Sequence, residues 1–255
     1  DCELTPNDDA EEQFPTACMN DVYSFDVVTK EWQKVACTGE LPSPRSGFAC
    51  AAAGKQLFIY GGLDPLYGWM TDGFLLDLST LRWTKVAFTG DGPSPRDKIA
   101  TTVLPDGKIA LFGGFGPQTT ELEEGEEATA TFGWFNETYL LDLAEQNRWV
   151  RLECQGELPT PRAASSAVVI QRPKQIKESV PSITEDTKQE APAPSYKEEG
   201  GPQDYLYIFG GRDNGGSRTN DCFSLELSSL TWEKQVCRGN AGYGRSFHSC
   251  VAVGD

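Results

Sequence analysis

The chain has a single histidine, His248, in 255 residues. That scarcity excludes catalytic arrangements built on a histidine base, multi-histidine copper or zinc centres and copper oxidases. Long apolar runs are also missing, since no stretch approaches the ~18 residues of a membrane-spanning helix. Basic residues are outnumbered, with 22 Lys and Arg against 38 Asp and Glu and a formal net charge of −16. Such a balance argues against a nucleic-acid backbone or an anionic membrane as the main partner. None of the eight cysteines falls in C-x-x-C spacing, so no zinc site is expected. Glycine-rich phosphate loops are absent too, because GGFG and GGRDNGG lead into strand-like sequence and not into a helix. The start shows no charged–apolar–small order of a signal peptide. It opens on Asp1 where Met would be expected, so targeting is not read from that end. These absences predict a protein that is not an enzyme and has no cofactor or metal.

What the chain does have is a repeat. PSPR at 42–45 and 93–96, PTPR at 159–162 and GYGR at 242–245 open successive units. The first three are followed by an alternating stretch and then a glycine pair: Gly61-Gly62, Gly113-Gly114 and Gly210-Gly211. A polar turn leads to GFLLDL (73–78), ETYLLDL (137–143) or DCFSLEL (221–227), and a tryptophan closes each unit at Trp83, Trp149 and Trp232. Upstream, NDVYSFDV through Trp32 supplies one more closing half. Each unit therefore reads as four short strands, with glycine pairs for sharp turns and β-branched and aromatic runs for a half-buried pleated surface.

Units of about 50 residues with this order of glycines and tryptophan resemble the blades of kelch β-propellers. The resemblance covers nearly the whole chain and implies an all-β fold. The expected layout is an acidic segment 1–19, a half blade 20–37, whole blades 42–88, 93–154 and 159–237, and the first strand of another at 242–255. Kelch propellers usually close with six or seven blades, so an incomplete ring is expected. Trp-to-Trp spacing grows from 51 to 66 to 83. The 66 reflects GPQTTELEEGEEATATFGWF, and the 83 reflects 171–203, whose Pro/Glu/Lys/Ser-rich composition predicts a disordered loop.

Cysteine sits in repeat-locked columns. Cys37, Cys154 and Cys237 each fall five residues after a closing Trp, where the remaining unit has Phe88. Cys50 and Cys250 fall five after the repeat arginine, opposite Thr101 and Ala167 in the other units. Cysteine in small or apolar columns reads as a reduced core residue, which predicts the cytosol or nucleus. Asn136-Glu137-Thr138 is a formal glycosylation sequon, but it occupies the Asn-Asp turn of the repeat.

Columns on which all copies agree read as structural: Arg45, Arg96, Arg162 and Arg245 as blade-edge or inter-blade contacts, the closing tryptophans as core. Columns where one copy departs are better candidates for binding. After the glycine pair come Leu63, Phe115 and then Arg212, with Arg218 six residues further. After the repeat arginine come Ser46, Asp97, Ala163 and Ser246, and next Gly47, Lys98, Ala164 and Phe247. Loops at these turns would bring Arg212, Arg218, Lys98, Ser246, Phe115 and Phe247 to one mouth. Guanidinium forks and a hydroxyl suit a carboxylate. Salt bridges from Arg212 and Arg218 to Asp213, Asp221 or a neighbouring blade would serve structure alone.

FGGRDNGGSRTND followed by GRSFHS resembles the kelch-domain substrate receptors of cullin-RING ubiquitin ligases that read C-terminal degrons. The resemblance implies that Arg212, Arg218 and Ser246 clasp a terminal carboxylate, with Lys98, Phe115, Trp134 and Phe247 forming the pocket wall. It also implies protein or peptide C-termini as partners, and a cullin adaptor docked through a segment absent here. This chain departs from the family in having one extra residue between the arginines, Phe115 where a Tyr can stand and Phe247 where a Trp can. The acidic ELEEGEE would repel acidic peptides. The rival reading is a general kelch scaffold for trafficking, cytoskeletal or signalling partners without carboxylate recognition.

Overall fold

The computed structural model describes residues 18–118, 131–177 and 196–253; the acidic start and the ELEEGEE stretch lie outside them. Three sheets follow one another along the chain. The first joins Ala49–Ala53, Gln56–Tyr60, Gly73–Asp77 and Arg82–Lys85 as antiparallel neighbours. The second joins Ala100–Val103, Ile109–Phe112, Thr138–Asp142 and Arg148–Leu152. The third joins Ser166–Lys177, Tyr196–Asp213, Arg218–Glu226 and Thr231–Lys234. Each sheet gains a two-residue parallel strap from the preceding unit: Thr38–Gly39, Thr89–Gly90 and Gln155–Gly156. Ahead of them Val22–Asp26 pairs with Glu31–Val35.

Local chemistry explains the hairpins. At the end of the third strand Asp26, Asp77 and Asp142 accept backbone N–H bonds two and three residues on. These Asx turns fold the chain back toward the tryptophan strand.

The core lies between the sheets. Phe58 and Tyr60 of the first pack with Leu111, Tyr139 and Trp149 of the second. Phe112 of the second packs with Ile208, Phe223 and Trp232 of the third. Each closing tryptophan thus wedges against the preceding blade: Tyr60 and Trp149 rings sit 5.0 Å apart, Phe112 and Trp232 5.5 Å. The stacked, four-stranded antiparallel sheets are the all-β blade arrangement that the resemblance implies.

Three expectations need correction. Trp32 is 70% exposed, because the tryptophan packs on the blade before it and no such blade precedes Trp32 among the described residues. Residues 242–253 form no strand, having no neighbouring strand to pair with among the described residues. The segment 171–203 is not one disordered loop. Ser166–Lys177 and Tyr196–Asp213 pair from Ser166↔Phe209 out to Lys177↔Tyr196, with a register shift at Pro173/Gln175. One anchor is Arg172, whose guanidinium lies 4.5 Å from the Tyr205 ring and 5.3 Å from the Tyr207 ring. Residues 178–195 lie outside the described residues.

Candidate carboxylate-binding site

The repeat arginines build the platform beneath the site. Arg45, Arg96 and Arg162 are buried and reach a carboxylate in their own blade: Asp72 at 2.6 Å, Glu137 at 3.1 Å and Asp221 at 2.6 Å. Each also donates to the carbonyl of the first glycine of its pair, Gly61, Gly113 or Gly210. Their backbone carbonyls reach across blades, since Arg96, Arg162 and Arg245 accept from the amides of Gly62, Gly114 and Gly211. One arginine therefore fixes a glycine turn in its own blade and in the blade before it. At Gly211, with φ of +105°, an added Cβ would lie 2.2 Å from Ser165 Oγ, so only glycine fits this turn.

Beyond the arginines the chain climbs a staircase. Lys98 N–H donates to Gly47 O at 2.6 Å, Ala164 N–H to Lys98 O at 2.8 Å and Phe247 N–H to Ala164 O at 3.0 Å. The four residues share a left-handed backbone, with φ between 55° and 66°. Successive blades thereby present the side chains of one column side by side.

A cleft of about 150 Å³ opens there, lined by Lys98, Phe115, Trp134, Ala163, Ala164, Arg212 and Phe247. Five of the seven are residues singled out in the sequence. Phe115 and Trp134 hold each other edge to face at 4.9 Å across the hairpin of Phe115–Gln118 and Thr131–Trp134. Ala163 and Ala164 occupy the departing columns but carry no reactive group, so their role as floor was visible only as a lack of bulk.

Arg218 and Ser246 stand beside the cleft without lining it. Arg218 Nε donates to Ser246 Oγ at 3.3 Å, and Arg212 Nε to Gly216 O at 3.3 Å. Arg212 and Arg218 are direct cross-strand partners. Opposed like charges on one sheet face repel, and among the described residues no carboxylate lies within ion-pair distance of either. Asp221 is held by Arg162, and Asp213 accepts from Ser217 N–H.

Other sequence candidates have structural partners. Asn136 Nδ2 donates to Pro159 O, as Asn20 does to Pro42 O and Asn220 to Gly242 O, so the sequon residue ties its loop to the next unit. A ring nitrogen of His248, Nε2, lies 3.2 Å from Phe209 O, and the ring meets Phe209 edge to face. Burial holds its pKa below the ordinary value. Burial pushes the Cys222 thiol, opposite Phe209 in the ladder, up to about 11, with Cys237 and Asp221 adding to the shift, so it offers no thiolate near neutral pH.

Residues 9–176 match the KLHDC2/KLHL20/DRC7 Kelch-repeats domain. Among curated proteins the chain is 27% identical over 251 residues to Kelch domain-containing protein 1 of Homo sapiens, covering 92% of this chain and 53% of that protein. It is 34% identical over 146 residues to Acyl-CoA-binding domain-containing protein 4 of Arabidopsis thaliana, covering 57% of this chain and 20% of that protein. Against Host cell factor of Drosophila melanogaster identity is 22% over 245 residues, with 93% and 14% covered. The solved structure of YjhT superposes with a TM-score of 0.53 at 16% identity, over 85% of this chain and 52% of that one, a likeness of fold alone. The chain spans about half the length of Kelch domain-containing protein 1 and smaller shares of the other two relatives.

Proposed function

This chain belongs to the KLHDC2/KLHL20/DRC7 kelch-repeats family, and from that premise we propose that it binds peptide ends through a free C-terminal carboxylate. Kelch-repeat domains are in general non-enzymatic interaction scaffolds, and membership supports reading this chain as a protein-interaction module. The observation that carries the finer reading is the arginine pair. Arg212 and Arg218 are direct cross-strand partners with no carboxylate within ion-pair distance among the described residues, beside a small cleft walled by Phe115, Trp134 and Phe247.

A terminal carboxylate fits this chemistry. It would accept paired N–H donors from Arg212 and Arg218 and a hydroxyl from Ser246, with the half-buried Phe115 and Trp134 as the wall beside it. Charge-assisted hydrogen bonds of this kind contribute roughly 1.5–3 kcal/mol each when shielded. Capture of a C-terminal carboxylate is an established mode of peptide recognition.

The role we propose for the whole protein is substrate receptor of a ubiquitin ligase, acting in the cytoplasm or nucleus. Affinity purification of the full-length protein from its cell should return a cullin adaptor; its absence would favour the scaffold reading. Titration with peptides ending in glycine, free or C-terminally amidated, tests the binding itself. The free form should bind at least about tenfold tighter, the equivalent of one such hydrogen bond; equal binding would overturn the reading.

A further inference from the structure

Asp97 is the one acidic residue in the column after the repeat arginine, where the other blades carry Ser46, Ala163 and Ser246. Its side chain is 2% exposed. One carboxylate oxygen, Oδ2, meets the Lys98 ammonium, and the other, Oδ1, is buried without a hydrogen-bond partner among the described residues. The fold makes room for it at Gly47, where an added Cβ would stand 3.2 Å from Asp97 Cβ and 3.3 Å from Oδ2. Lys98 is 32% exposed, lines the cleft and sits 5.7 Å from the Phe115 ring.

A buried carboxylate with a single partner depends on that partner, because removing the lysine charge would leave it uncompensated. The converse also holds: the ammonium's charge is already spent inside the wall. Of the three cations at the site, only Arg212 and Arg218 lack a protein counter-ion among the described residues.

We infer that Asp97 is the internal counter-ion of this pocket, a specificity-determining residue that withholds Lys98 from the ligand. This rests on the carboxylate reading above. With Lys98 cancelled, the site grips one carboxylate through its arginines and gives little to a second acidic group beside it. The ligand class that follows is a peptide end with a single negative charge, uncharged at the residue before its terminus. Asp97 acts through Lys98, so it is a positioning residue and not itself a contact to the ligand.

Asp97→Asn keeps the size and removes the charge. For the 255-residue chain, the affinity ratio between free-carboxylate glycine peptides with Asp or Ala in the penultimate position should rise about tenfold in favour of Asp, as expected for one newly available charge at close range. Lys98→Met added to Asp97→Asn should return the ratio to the parent value, which a merely structural effect would not do. Asp97→Ser, the residue of two other blades, serves where Asn impairs folding. An unchanged ratio in a folded variant overturns the inference.

A ligand-free arm separates this from the peptide reading. Labelling of Lys98 by trinitrobenzenesulfonate, an anionic amine reagent, read by mass spectrometry, should accelerate about tenfold in Asp97→Asn. An unchanged labelling rate overturns the counter-ion role whether or not any peptide binds. Accelerated labelling with equal binding of free and amidated peptides would sustain Asp97 and sink the carboxylate reading alone.

Discussion

Replacing Arg162 with alanine should unfold the third blade's platform at a cost that the structure lets one work out. The side chain is 1% exposed and makes a two-pronged bond to Asp221, Nη1 to Oδ1 at 2.6 Å and Nη2 to Oδ2 at 3.1 Å. Nη1 also donates to Gly210 O at 3.1 Å, Nη2 to Thr160 Oγ1 at 2.9 Å and Nε to Thr160 O at 3.1 Å. Truncation strands a half-buried carboxylate and a buried carbonyl together. Breaking one partner of such a buried pair costs about 3–5 kcal/mol, and urea denaturation at pH 7 measures it. Burial raises the Asp221 carboxyl, but the hydrogen bonds and charge of Arg162 more than offset that and leave it below the usual carboxylate value of 3.8. A depressed carboxylate stabilises the fold above its unfolded pKa and loses that contribution as pH falls through the folded one. The parent should therefore lose stability below about pH 4 through this pair, and Arg162→Ala should show a shallower acid limb. A loss under about 1 kcal/mol, the value of an exposed ion pair, would refute the reasoning.

Trp232→Ala should destabilise by about 3–5 kcal/mol in the same assay, because it empties the wedge against Phe112 and Cys154 of the second blade. Trp32→Ala, at an exposed site, should change stability by no more than about 0.5 kcal/mol. Gly211→Ala should lower the melting temperature and weaken peptide binding together, since the turn it distorts carries Arg212. His248 has its pKa lowered chiefly by burial, so its neutral form supports the fold above the ordinary value of 6.5 and that support fades as pH falls below it. His248→Gln should remove this step from a pH series of melting temperatures.

The blade plan was readable in the sequence because its determinants are local and repeated. Glycine pairs and closing tryptophans recur in fixed order through the three four-stranded sheets, and an Asp turns the hairpin at Asp26, Asp77 and Asp142, where the third sheet has Glu226. The departing columns led to Arg212, Lys98, Phe115 and Phe247, and the family resemblance added Trp134; the fold gathers all five into one cleft. Adjacency was readable because the left-handed staircase places one column side by side. What escaped was three-dimensional. Asp97 lay in view in its column, but that its carboxylate turns inward to Lys98 depends on the space left at Gly47. Ala163 and Ala164 carry no functional group, and only the fold shows that their small size leaves the cleft open. The extended pairing of 171–177 with 196–204 ran against a composition typical of disorder, because a ladder forms between backbone groups and does not require apolar side chains.

The central claim is that the arginine pair reads a carboxylate, and a thermodynamic cycle tests it most directly. Affinities would be measured for one glycine-ended peptide, free and amidated, against the parent chain, Arg212→Ala and Arg218→Ala. The account predicts that the free acid binds the parent at least about tenfold tighter than the amide, and that this preference collapses toward unity in both variants. A preference that survives both substitutions, or none in the parent, would contradict it.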